Sequence, residues 1–338
     1  MPQSAQRKRR FALLITVALA HTACALKPVA QAPDAPVAPF AAKSLTYVAT
    51  LDNVRLGYAD KFLRVLFGRN EYRLERPVAI AARDKNLYIA DAGAHIIFRY
   101  DIARKILTKI GSAGDKLAGE AGGIYVAANG DFYVADPVGQ QVLKFSRNGD
   151  LLQTFRDAPN ISRPIAVAVD ENSGRLFVAD EVYSHVVVFN AEGEAIQGIG
   201  ARGLNAGPGN FRVITDMAMA PAGLYVTDRV ELRVQLLDLQ GKFVRSFGQQ
   251  ELIFPLAIAR DAHGRVYVTD RSDNRLRIFD AQGQLIEAVG HNGSGPGEFR
   301  LANDMAIADD SLYIADSLNG RIQVFKIEPP KTEMSAIK

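Results

Sequence analysis

From Ser44 onward the chain is written in short apolar runs that alternate with polar positions and stop at turn formers. The stretch after residue 255 shows the pattern in full. Its runs are Leu256–Ala259, Val266–Asp270, Arg275–Asp280 and Leu285–Val289, separated by AHG, RSDN and AQGQ. β-Branched and aromatic residues fill these runs, so each predicts a strand. No helical period is found between 44 and 328. One phrase recurs six times: LYIAD ending at Asp91, FYVAD at Asp136, LFVAD at Asp180, LYVTD at Asp228, VYVTD at Asp270 and LYIAD at Asp316. The separations are 45, 44, 48, 42 and 46 residues. A period in this range, with four short strands per unit, is the mark of a repeat architecture.

Six units of four antiparallel strands predict an all-β fold, a six-bladed β-propeller. The sixth unit offers three strands, Met305–Ala308, Leu312–Asp316 and Arg321–Lys326, and then passes into IEPPKTEMSAIK. Its fourth strand is therefore expected from the N-terminal side. KFLRVLFG (61–68) resembles KFVRSFG (242–248), the fourth strand of unit four, and is the expected closing strand. Closure of the last blade in this way removes sheet edges that would recruit other chains. Length alone, 338 residues, suggests two domains of about 150 residues each. The repeat replaces that expectation with one propeller over 44–328 and a C-terminal tail over 329–338.

The first 43 residues follow a different pattern. Arg7-Lys8-Arg9-Arg10 precedes an uncharged apolar run, Phe11 to Ala20. That order is the one of a secretory signal, and the run is too short to span a bilayer. The single cysteine, Cys24, lies just past it. Its placement resembles the lipid-attachment cysteine of bacterial lipoproteins: Thr22 and Ala23 suit the two preceding positions, whereas His21 stands where Leu is usual. Cleavage after Ala20, Ala23 or Ala25 with Cys24 incidental is one alternative, and an uncleaved anchor another. Residues 1–23 are thus read as signal peptide. Residues 24–43, with Pro28, Pro33, Pro36 and Pro39 among small residues, are read as a tether. The expected address is the periplasm or cell surface, with the membrane touched only through Cys24.

Composition changes this picture in two places. The chain carries 40 Lys plus Arg against 37 Asp plus Glu, a net +3 that would ordinarily suggest nucleic acid or acidic membrane. Arg7, Lys8, Arg9 and Arg10 belong to the signal segment, which holds no acid. Without it 36 basic residues face 37 acidic ones, a net −1, and nucleic acid drops out as a partner. One cysteine excludes an internal disulfide framework, and the absence of Trp disfavours a sugar-stacking lectin.

The repeats resemble NHL repeats. The likeness rests on PVAIA (77–81), PIAVA (164–168) and PLAIA (255–259), on the six Asp ends, and on DSLNGRIQVF (316–325) and DRSDNRLRIF (270–279). The linkers GPGNF (207–211) and GPGEF (295–299) match too. The resemblance implies the propeller fold and leaves function open, because that family includes both binding platforms and enzymes. Similar NHL enzymes, the peptide-amidating lyases, place zinc histidines directly after the proline of an inner strand. Here those positions hold Val78, Ile165 and Leu256. His95, His185, His263 and His291 are read as turn or surface residues.

The six repeated Asp residues are expected to accept turn amides, since repetition in every blade argues for scaffold. Two inner strands depart from the proline pattern: FRVITDMAMA with Asp216, and FRLANDMAIA with Asn303 and Asp304. Inner-strand starts ring the mouth of a propeller's tunnel. Asp216, Asn303 and Asp304 there would offer the oxygen ligands that Ca²⁺ prefers, and the Asn-Asp pair resembles the calcium-binding strands of gluconolactonase-like propellers. The alternative is that both carboxylates pair with Arg212 and Arg300 or cap backbone. Arg76, Arg163, Arg212 and Arg300 are candidate ligand-binding residues for an anionic group. GIGARG (198–203) lacks the strand-turn-helix context of a dinucleotide site, and no GxSxG, HExxH or P-loop pattern occurs. No catalytic residue is singled out. The favoured reading is a monomeric binding scaffold for an envelope protein, peptide or glycan; the alternative is a lactonase-like hydrolase or lyase with a divalent metal at the tunnel mouth.

Overall fold

The computed structural model describes residues 42–52, 55–56, 73–201, 207–221 and 223–330. Six antiparallel sheets of four strands each succeed one another along the chain, forming a six-bladed β-propeller. The inner strands are Pro77–Arg83, Ile124–Val126, Pro164–Asp170, Ile214–Ala220, Pro255–Arg260 and Ala302–Ala308. They stand side by side in that order around a central tunnel, and the last packs against the first. In blade 1 a two-residue strand, Arg55–Leu56, runs parallel outside Ile106–Lys109.

The ring closes with a strand from the N-terminal side, as expected, but with a different segment. Leu45–Leu51 pairs antiparallel with Arg321–Ile327, from Leu45↔Ile327 to Leu51↔Ile322. The segment 61–68, expected in this place, lies outside the described residues. LTYVATL can do this because its β-branched and aromatic residues suit an outer strand. Leu45 is fully buried, and Tyr47 meets Phe325 edge to face at 5.8 Å. The amides of Lys43 and Ser44 donate to Glu287 of blade 5 at 2.8 and 3.0 Å.

The core lies between blades rather than at one centre. Tyr88 packs on Phe132 at 5.5 Å (blades 1 and 2), Phe155 on Phe189 at 5.7 Å (blades 2 and 3) and Phe247 on Phe279 at 5.1 Å (blades 4 and 5). Such pairs contribute about 0.5–1.5 kcal/mol each beyond the area they bury. The hairpin at Asp280–Gln284 shows how tightly the turns fit. Gly283 has φ of 87°, and a Cβ there would sit 2.6 Å from the Phe247 ring of the preceding blade.

Removing residues 42–52 exposes the edge of Arg321–Ile327 and uncovers Phe325. The shortened protein is expected to aggregate or to melt without cooperativity. A soluble deletion that melts cooperatively at the wild-type temperature would contradict closure by this strand.

Candidate functional site at the tunnel mouth

The six repeated aspartates end the second strand of each blade, and all are buried at 2 % exposure or less. A buried carboxylate must be hydrogen-bonded. Five are satisfied by amides of their own turn and of the loop that enters the inner strand; Asp316 takes the loop amide of Arg300 and, in place of a turn amide, the side chains of Asn319, Arg321 and Gln323. Asp91 Oδ1 accepts from the Ala94 amide of its own turn at 2.9 Å, and Oδ2 from Glu75 N at 2.8 Å. Asp180 repeats this with Tyr183 and Ser162, Asp228 with Glu231 and Arg212, and Asp270 with Ser272 and Ile253. The turn half of this arrangement was expected. The second half holds the loop that enters the inner strand and was not. Burial works against ionisation of Asp270, but the amides of Ile253, Ser272 and Phe254 and the Ser272 hydroxyl outweigh it. They hold the pKa below the usual carboxylate range.

The loops held in this way surround a basin of about 710 Å³ at the mouth of the tunnel. Its floor is made by a β-bulge that recurs where inner strands begin. In blade 1 the register shifts between Pro77 and Ala79, in blade 3 between Pro164 and Ala166, in blade 4 between Ile214 and Asp216, in blade 5 between Pro255 and Ile258, and in blade 6 between Ala302 and Asp304. A bulge re-aims the extra residue, and Val78, Ile165, Thr215, Leu256 and Asn303 all line the basin.

The walls are charged in pairs. Arg76 holds Glu120 with two bonds, one of 3.0 Å. Arg163 meets Glu181 at 2.9 Å, and Arg229 reaches the other oxygen of Glu181 at 3.5 Å. Of the four arginines proposed from sequence, Arg76 and Arg163 line the basin. Arg212, which pairs with Glu231 at 2.9 Å, and Arg300 do not. Arg229 was missed. A signal for it exists: in four of the six blades the residue directly after the blade Asp borders the basin, as Pro137, Glu181, Arg229 and Ser317 do.

Below the basin the tunnel encloses about 230 Å³. Asp216 and Asp304 both face this cavity, whereas Asn303 belongs to the basin above, where its Nδ2 donates to Val78 O at 2.6 Å. The pairing of the two carboxylates with Arg212 and Arg300 does not occur. Asp216 instead accepts from Met217 N at 2.7 Å and from Ile258 N of the next blade at 2.8 Å. Asp304 accepts from Met305 N and from Ile80 N of blade 1, both at 2.7 Å. Each carboxylate thus staples its inner strand to the following blade. By surface area the two are only half-buried, because they line the cavity, but the inner strands crowd around them. Burial pushes the Asp216 pKa up to about 7 against the opposing amide bonds. Burial, then the charge of Asp216, raises Asp304 well above the usual range. Among the described residues no three His, Cys, Asp or Glu side chains converge to hold a metal ion. His185, expected at the surface or in a turn, is buried with Nε2 against Asn160 O at 2.7 Å.

The family DUF5128, described as a 6-bladed beta-propeller, matches residues 252–333. Peptidyl-glycine alpha-amidating monooxygenase A of Xenopus laevis is 27% identical over 238 residues, 64% of this chain and 25% of that protein. The mouse peptidyl-glycine alpha-amidating monooxygenase is 32% identical over 158 residues, 41% of this chain and 16% of that protein. The chain therefore spans a quarter or less of the curated relatives it matches. A Bacteroides thetaiotaomicron protein superimposes with a TM-score of 0.62 at 14% identity, over 77% of this chain and 71% of that one. A streptogramin B lyase does so with 0.56 at 13% identity, over 75% and 94%. At these identities the structural likeness is one of fold.

The tunnel carboxylates have a pH signature. A carboxyl whose folded pKa exceeds its unfolded value of about 4 stabilises the fold fully below that value and loses the contribution as pH rises toward the folded pKa. For Asp216 the window runs from about 4 to about 7. Asp270 acts in the opposite direction, and its contribution is lost as pH falls below about 4. The melting temperature should fall between pH 5 and pH 8 by on the order of 5 °C. The double variant Asp216→Asn, Asp304→Asn should show a flatter profile, whatever its pH-independent offset. An identical slope in both proteins would contradict the assignment.

Proposed function

We propose that this protein is an exported, lipid-anchored propeller of the NHL type that binds a peptide segment of an envelope protein in the basin at its tunnel mouth. The observation that carries this reading is the lining of the basin. Its floor is aliphatic at Val78, Ile165 and Leu256, its walls present Arg–Glu pairs, and no Phe, Tyr or Trp is among its lining residues. Aliphatic side chains and peptide groups suit such a surface. Sugars and bases, which bind by stacking on aromatic rings, do not. The positions that carry zinc histidines in the amidating lyases this chain resembles are the aliphatic floor itself, which favours binding over that lyase chemistry.

The address rests on Arg7–Arg10, the apolar run to Ala20 and Cys24. Replacing Cys24→Ser is expected to move the protein from the membrane to the soluble envelope fraction. Unchanged membrane association would contradict the lipid anchor.

The binding reading is tested by panning a peptide display library on the purified propeller. Arg163→Glu combined with Arg229→Glu should weaken the selected peptides about tenfold or more. Val244→Asp on the outer strand of blade 4 should leave them unchanged. Equal losses in the two variants, or no selected peptide, would contradict the reading.

A second reading is favoured by one observation, the two carboxylates facing one tunnel cavity. Asp216 and Asp304 would then hold a divalent cation such as Ca²⁺ for a lactonase-like hydrolase or lyase, with Asn303 above them. Repeating the pH series with calcium separates the readings. A bound cation keeps both carboxylates ionised and abolishes the loss of stability between pH 5 and pH 8. An unchanged profile removes the cation.

A further inference from the structure

Blade 2 breaks the pattern of the floor. Its inner strand, Ile124–Val126, is three residues long, against six or seven in the other blades, and it is preceded by Gly122 and Gly123. A Cβ on Gly122 would lie 2.8 Å from Ile165 Cα, and one on Gly123 3.0 Å from Ile165 O. The start of blade 2 is therefore drawn against blade 3 as closely as backbone allows, and only glycine fits there. On the other side, toward blade 1, a side cavity of about 110 Å³ opens. It adjoins the basin, and Val78, His95, Gly119, Glu120 and Ala121 border both.

The walls of this cavity are Val78, Ala90, Ala92, Ile97, Leu117 and Ala121. Asp91 also borders it, but the carboxylate is saturated by the amides of Glu75, Arg76 and Ala94. The apolar side chains named above give the cavity an aliphatic lining, and Glu120 and His95 border both it and the basin. Glu120 is held there by Arg76, whose bonds keep the Glu120 pKa below the usual range and therefore charged at neutral pH. His95 is exposed beside it. An apolar slot with a charged lip accepts one apolar side chain while main-chain groups stay at the entrance. A cavity of about 150 Å³ is large enough for a benzene ring, so this smaller one suits an aliphatic side chain better than an aromatic one.

We infer that the cavity between blades 1 and 2 is a specificity pocket for a single aliphatic side chain, of the size of Val, Leu or Ile, in the peptide that occupies the basin. This rests on the peptide-binding reading of the basin. It adds the position at which the ligand is discriminated and the residue class that is chosen.

The test uses a series of blocked hexapeptides based on a peptide selected by the wild-type propeller. Each position is replaced in turn by Ala, Val, Leu, Phe or Glu, and binding is followed by fluorescence anisotropy. One position should prefer Leu or Val over Ala by about tenfold or more, from the methylene groups buried, and should reject Phe and Glu. Ala118→Phe, at an exposed position on the wall, should erase that preference while the background affinity remains. Leu117→Ala, which widens the slot, should extend the preference to Phe. Melting temperatures of both variants confirm folding. Peptides that bind without an aliphatic preference, or a preference that both variants leave intact, overturn the pocket and leave the basin reading standing. Failure of every peptide to bind overturns both.

Discussion

Six carboxylates buried in an all-β ring have to find donors, and this requirement organises the molecule. Water cannot reach them, so each takes an amide from the loop that enters the inner strand of the same blade and, in five blades, an amide of its own turn; in the sixth, side chains of the turn and third strand replace the turn amide. One charged group therefore fixes two loops at once. Both loops lie on the same face, because the second strand runs antiparallel to the inner one and ends where the inner one begins. Charge-assisted bonds of this kind are stronger than neutral ones, and repeating them around the ring fixes the loops of the tunnel mouth. A rigid rim limits the entropy lost on ligand binding.

What the rim encloses follows from a second repeated device. The bulge at the head of the inner strands turns Val78, Ile165, Thr215, Leu256 and Asn303 toward the basin. Blades 4 and 6 use the same bulge to different effect. There the following residue is Asp216 or Asp304, which reaches the neighbouring inner strand at Ile258 or Ile80. Two blade junctions thus gain a buried carboxylate staple, and one of them, between blades 6 and 1, is where the ring is closed. The tunnel holds two carboxylates and two arginines, Arg83 and Arg260, beneath a basin that is aliphatic below and charged at its edge.

Much of this was legible in the chain. The six Asp ends, their spacing and the turn formers between strands define the blades because they are local and repeated. The departures at Thr215-Asp216 and Asn303-Asp304 were visible as breaks in the proline pattern, but not their partners, which lie some 42 to 225 residues away. KFLRVLFG resembles another outer strand, and on sequence alone that likeness makes it the expected closing strand. LTYVATL, which takes that place, carries no turn signal of its own, and it is selected by pairing with Arg321–Ile327 and by the burial of Leu45. Arg229 was readable from its place after Asp228, once that place is known to face the mouth. The pocket between blades 1 and 2 depends on how closely Gly122 approaches Ile165, a distance that no spacing in the sequence expresses.

We propose that ligands enter at the tunnel mouth, on the face that the aspartates hold. Backbone amide chemical shifts of the isotope-labelled propeller, followed while a selected peptide is titrated, test it most directly. Saturable shifts should concentrate at residues 76–79, 163–166 and 229–231, with the outer strands unmoved. Shifts confined to the outer strands, such as Phe243–Phe247, or to the turns at the opposite end of the tunnel would contradict the account.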